Sequence, residues 1–78
     1  MAMSEVRGET HPMPTVPEMF AFENRHPRHT SAKEERIFGE MRVRPARYYQ
    51  LLRHAAMTAE GWALDPMLCR RVLDREAA

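Results

Sequence analysis

The sequence predicts an all-α fold, a small helix-turn-helix bundle of about four short helices behind a flexible N-terminal arm. Three observations carry that expectation. Six prolines and three glycines punctuate the chain and divide it into short segments. Ser31-Ala32-Lys33-Glu34 has the residue types and spacing of a capping box. Tyr48, Leu51, Leu52, Ala55 and Ala56 recur at the i, i+3, i+4, i+7, i+8 spacing of a helix laid against a core. With 78 residues, 44% of them hydrophobic and 29% charged, the chain has room for one small core and not for two independent domains.

Residues 1–14 read as the arm. Ser4, Gly8, Thr10 and Pro14 fall among few periodic apolar residues, so this stretch cannot bury enough surface to offset the entropy of ordering it. Residues 15–78 read as the helix-turn-helix domain. Its first helix is expected over residues 16–25, with Pro17 in the first turn, Glu18 near the positive helix end and Pro27 as the stop. Val16, Met19, Phe20 and Glu23 share one side of it. Phe22 points elsewhere, so the helix either buries two faces or leaves an aromatic ring for a partner.

The second helix is expected to begin at Ala32, capped by Ser31, and to end near Met41. Ile37, Phe38 and Met41 form its apolar stripe, with Lys33, Glu34, Glu35, Arg36 and Glu40 on the wetter side. Arg42-Val43-Arg44 then makes a tight turn into a third helix, because Pro45 suits the first helical position and pushes Arg44 into an extended conformation. Thr58-Ala59-Glu60-Gly61 reads as a connection, with Trp62 and Leu64 plugging the gap beneath it. Asp65 and Pro66 cap and open a last helix that turns Leu68, Cys69, Val72 and Leu73 inward. Met19, Met41, Met57 and Met67 read as adaptable core filler.

Twelve Lys+Arg against eleven Asp+Glu leave a net charge of +1, which excludes a polybasic coat protein and an acidic tail, so an electrostatic partner must be met by a local patch. One such patch exists. Arg42, Arg44, Arg47 and Arg53 occur with no acid between Glu40 and Glu60. On the third helix Ala46, Arg47, Tyr49, Gln50, Arg53 and His54 lie away from the apolar stripe, a face suited to the major groove of double-stranded DNA. Arginine grips guanine through two parallel hydrogen bonds and glutamine does the same for adenine, so Arg47 and Gln50 are the expected base readers. Arg42 and Arg44 are expected at phosphates, with Tyr49 or Arg53 at the groove edge. The turn has one departure from the motif: Arg42 stands where a glycine is frequent, and a left-handed arginine costs about 1 kcal/mol or more.

Two other classes of function compete with DNA binding. An adaptor would dock on RNA polymerase or another transcription protein through Phe22, Tyr49 or Trp62 as an aromatic anchor. A homodimeric, antitoxin-like inhibitor would use the arm, and Phe22 and Trp62 also supply candidate surface for a homodimer. Enzyme chemistry, a cofactor and a metal site are not expected. Cys69 is the only cysteine and sits on an apolar stripe, Pro27 spoils a ligand face for His26 and His29, and Gly8, Gly39 and Gly61 stand alone rather than in a phosphate loop. No apolar run approaches the ~20 residues of a membrane span and no signal peptide is visible, so a cytoplasmic protein is expected.

Phe22-Glu23, His29, Ala32-Lys33-Glu34, Arg47-Tyr48-Tyr49-Gln50-Leu51-Leu52 and Asp65-Pro66 with Arg70-Arg71 together resemble an actinobacterial family of small uncharacterised proteins. The likeness spans residues 16–75. That family is taken to carry a helix-turn-helix similar to the promoter-binding part of sigma factors, which implies a transcription-related role; RNA polymerase or a sigma factor is a further candidate partner. His26-Pro27 replaces the paired tryptophans of the family pattern and Arg42 replaces its turn glycine, so the resemblance implies a shorter first helix and an altered turn. Divergence of this kind in a short chain also fits a relative encoded by a phage or mobile element.

Overall fold

The computed structural model describes residues 13–77, with side chains to residue 75, so the expected arm lies almost wholly outside the described residues. Five α-helices and one π-helical turn make up the described part, an all-α domain of short helices.

Helix α1 runs Val16–Arg25, the expected bounds. Its start is held by a capping box absent from the sequence reading: Thr15 Oγ1 accepts from the Glu18 amide at 3.2 Å, and Glu18 Oε1 accepts from the Thr15 amide at 2.8 Å. Met19, Phe20, Phe22 and Glu23 are all buried, so α1 inserts two faces into the core. Phe22 is 0% exposed and meets Tyr48 edge-on at 5.7 Å, which removes it as a surface anchor for any partner.

Helix α2 is Ser31–Arg36, one residue earlier than expected. Thr30 is the cap, and its Oγ1 accepts from the Lys33 amide at 3.1 Å. The shift makes Lys33 the third helical residue, so Glu34 closes no box and Lys33 turns inward, against its expected wet position. The helix widens into a π turn over Ile37–Met41. Ile37 and Met41 keep the inner face, while Phe38, the next residue round the wheel, is turned out and 63% exposed rather than part of the apolar stripe. Arg42 ends the turn in the left-handed region, φ 62° and ψ 32°, donating its amide to the Phe38 carbonyl.

Arg44 is extended, as proline requires of its predecessor, and Pro45 opens α3, Pro45–Ala55. The expected connection at Thr58 is instead the start of a further helix, α4, Ala59–Leu64. Thr58 Oγ1 accepts from the Gly61 amide at 3.0 Å and its hydroxyl donates to the Ala55 carbonyl at 2.7 Å, tying α4 to the end of α3. Gly61 is buried at this junction, where a Cβ would overlap the Ala55 carbonyl oxygen and come within 3.2 Å of the Phe20 ring. Close backbone approach therefore closes the gap that Trp62 and Leu64 were expected to plug, and both of those side chains face outward. Met57 and Met67 are likewise exposed rather than core filler. Asp65 Oδ1 accepts from the Leu68 amide at 3.1 Å and opens α5, Pro66–Ala77, which buries Leu68, Cys69 and Val72 as expected.

Helix α3 is central, packing on α1, the π turn and α5, while α4 bridges α1 and α5. Among the described residues no helix is long and apolar enough to cross a membrane.

Candidate functional site

The core is organised round a charge. Glu23 and Lys33 are both almost wholly buried, and Lys33 Nζ donates to Glu23 Oε1 at 3.0 Å. The Tyr48 hydroxyl donates to Glu23 Oε2 at 2.7 Å, and Arg75 approaches Glu23 Oε1 at 3.8 Å. One carboxylate on α1 is thus met by α2, α3 and α5. Burial lowers the Lys33 ammonium below its usual range although Glu23 holds it up, and burial with the Glu23 charge pushes the Tyr48 hydroxyl far upward. No buried side-chain polar atom among the described residues lacks a hydrogen bond.

This buried cluster continues to the surface through two rings. His29 Nδ1 lies 2.9 Å from the Tyr49 hydroxyl and 3.5 Å from Lys33 Nζ, and the Lys33 ammonium sits 5.8 Å from the centre of the Tyr49 ring. Lys33 can only donate, so Nδ1 of the neutral imidazole is the acceptor and Nε2 carries the proton. Tyr49 is half-buried and packed edge-on against both His29 and Tyr48. It is a fixed link between α3 and the loop of residues 26–30 rather than a free aromatic on the α3 face.

The arginine segment lies next to this link. Arg42 and Arg44 are exposed in the turn, and Arg47 and Gln50 are exposed on the first turns of α3. Among the described residues Arg42, Arg44 and Arg47 enter no ion pair. Arg53 is exposed on the following turn and engages another group of the chain. Three guanidinium groups and one carboxamide are thereby offered to solvent round one corner. Trp62 lies on α4 and is 37% exposed.

The family model of DUF3263, described as a protein of unknown function, matches residues 15–77. The chain belongs to the DUF3263 family. No curated protein and no solved structure matches it. The match covers every described helix of this DUF3263 domain, including both the buried Glu23 cluster and the arginine corner.

An acid-free run marks the corner in the sequence, whereas the buried cluster is marked only by spacing. The signal was present: Glu23 is four residues after Met19, and Lys33 is four before Ile37, so each charge occupies an apolar-face position. Cys69 is buried and its thiol is pushed up by burial and by Asp65, the condition of an unreactive packing group. Among the described residues no group of three or more metal-ligating side chains comes together.

Proposed function

We propose that this DUF3263 protein is a small DNA-binding helix-turn-helix protein acting in transcription regulation. In this reading α2 with its π turn is the first helix of the motif, Arg42-Val43-Arg44 is the turn, and α3 is the helix presented to the major groove. One observation carries it: Arg42, Arg44 and Arg47 are solvent-facing and, among the described residues, enter no ion pair, on a segment without a single acid. Arg47 and Gln50, on the first turns of α3, are the base readers, and Arg42 and Arg44 set register on phosphates.

The test is selection of duplexes from a random pool, followed by mobility shifts over a range of salt. Arg47→Ala and Gln50→Ala should relax preference at individual base positions, each costing about 1–3 kcal/mol of discrimination. Arg44→Ala should weaken all duplexes evenly and reduce the salt slope by about one. Failure of the protein to retain any duplex in a salt-dependent way ends the proposal. The exposed Trp62 favours a second reading, an adaptor on RNA polymerase or a sigma factor. Recovery of polymerase from nuclease-treated extract, together with no duplex retention, would put that reading first.

A further inference from the structure

The loop of residues 26–30 and α2 enclose a second cationic feature, a cleft of about 310 Å³ lined by Arg25, Arg28, Lys33 and Arg36 with Pro27 and Ala32 among its walls. No carboxylate lines it. Its four cations differ in what they have left to give. Lys33 is committed to Glu23 inside the core. Arg25 and Arg36 share a single carboxylate, Glu40, at 2.9 and 3.4 Å, so two five-donor groups divide one acceptor pair and retain donors. Arg28 is exposed and, among the described residues, enters no ion pair. Three guanidinium groups round one cleft against one shared carboxylate is a surplus of positive charge and of N–H donors, which suits a phosphate oxygen pair.

The position of the cleft connects it to α3. His29 follows Arg28 and lies 2.9 Å from the Tyr49 hydroxyl, and Tyr49 is the residue before Gln50. The loop is therefore fastened to the flank of the helix that carries the arginine corner. When the second helix of such a motif enters the groove, the first crosses the sugar-phosphate backbone, and the cleft lies at the N-terminal end of that first helix.

We propose that this cleft seats one backbone phosphate of the duplex engaged by α3, with Arg28 as its principal donor and Arg25 and Arg36 completing the grip. The inference rests on the DNA reading above and adds to it a phosphate site outside the turn and α3. An occupied cleft also places residues 26–30 in the interface, so His29 holds its loop against Tyr49 while Arg28 reaches the backbone.

The experiment is the slope of log affinity against log salt, measured by fluorescence anisotropy on one duplex retained by the unaltered protein. Arg28→Ala should lower the magnitude of that slope by about 0.9, the value for one phosphate contact on B-form DNA. Arg28→Lys should restore it, because the slope counts charge. Arg70→Ala removes an exposed arginine from α5 and should leave the slope unchanged. Arg28 enters no ion pair among the described residues, so its variants should match the parent in thermal unfolding, and this match is checked first. An unchanged slope in Arg28→Ala, or an equal fall in Arg70→Ala, overturns the cleft. If Arg44→Ala lowers the slope while Arg28→Ala does not, DNA binding by the corner stands and only the cleft is lost. Absence of salt-dependent binding by the unaltered protein removes both.

Discussion

Glu23 is the residue on which most of the domain converges, since Lys33, Tyr48 and Arg75 reach it from three other helices. A buried ion pair is not by itself a strong source of stability, because desolvation of two charges offsets most of their attraction. Breaking it is a different matter. Glu23→Gln leaves the Lys33 ammonium buried without its counter-charge and should cost about 3–5 kcal/mol, close to the whole margin expected of so small a domain. Replacing the cluster by apolar groups, Glu23→Leu with Lys33→Met and Tyr48→Phe, should recover most of that loss, and urea midpoints of the two proteins check the contrast. The roles of Glu23 and Lys33 were legible from their spacing on apolar faces, yet a charged residue there reads equally well as the wet edge of a stripe. What decides between the two is a partner 10 residues away in the chain, brought close only when the chain folds back after α1.

At the scale of elements, local chemistry made α1, α3 and α5 readable. Pro17, Pro45 and Pro66 each stand at a helix start, and Pro27 lies just past a helix end. Helix α4 was not readable, because Gly61 is an ordinary signal for a connection and only the tertiary contact with Ala55 and Phe20 explains a glycine inside a helix. That contact reverses a familiar substitution. In an open helix Gly→Ala gains about 1 kcal/mol, whereas Gly61→Ala drives a methyl group into the Ala55 carbonyl and should destabilise the domain by about 1–3 kcal/mol. Denaturant unfolding of this single variant measures the sign directly. Phe38 marks the converse limit: periodicity alone placed it on the inner stripe, but the inner face of the π turn holds only Ile37 and Met41.

For the molecule as a whole, acidity is the condition that bears on the link between loop and α3. Burial, then the Lys33 and Arg75 charges, hold the His29 imidazole below its usual range, with Glu23 acting the other way. The unfolded chain therefore takes up this proton first as pH falls through about 6.5. His29 contributes stability that is complete above that value and is lost toward its lower folded value. Thermal midpoints at pH 7.5 and pH 5 should fall further apart in the unaltered protein than in His29→Gln, and equal separations would show that the imidazole contributes nothing. In the sequence His29 stands out only as part of the family-like pattern and as a poor metal ligand, because Lys33 and Tyr49 come into contact with it only through folding. The exposure of Arg42, Arg44, Arg47 and Gln50, by contrast, follows from the chain pattern, since an acid-free run off the apolar stripe needs no tertiary knowledge to recognise, whereas the engagement of Tyr49 and Arg53 does.

Arg42 joins these scales in one residue. Its left-handed backbone is a standing strain of about 1–2 kcal/mol that a glycine would release. Arg42→Gly should accordingly raise the melting temperature by roughly 4–8 °C per kcal/mol regained while loosening the hold on a polyanion. If the proposed DNA reading holds, durability and grip are set against each other at this single bend of the chain, and the version that best survives heating is not the one that clings longest to its target.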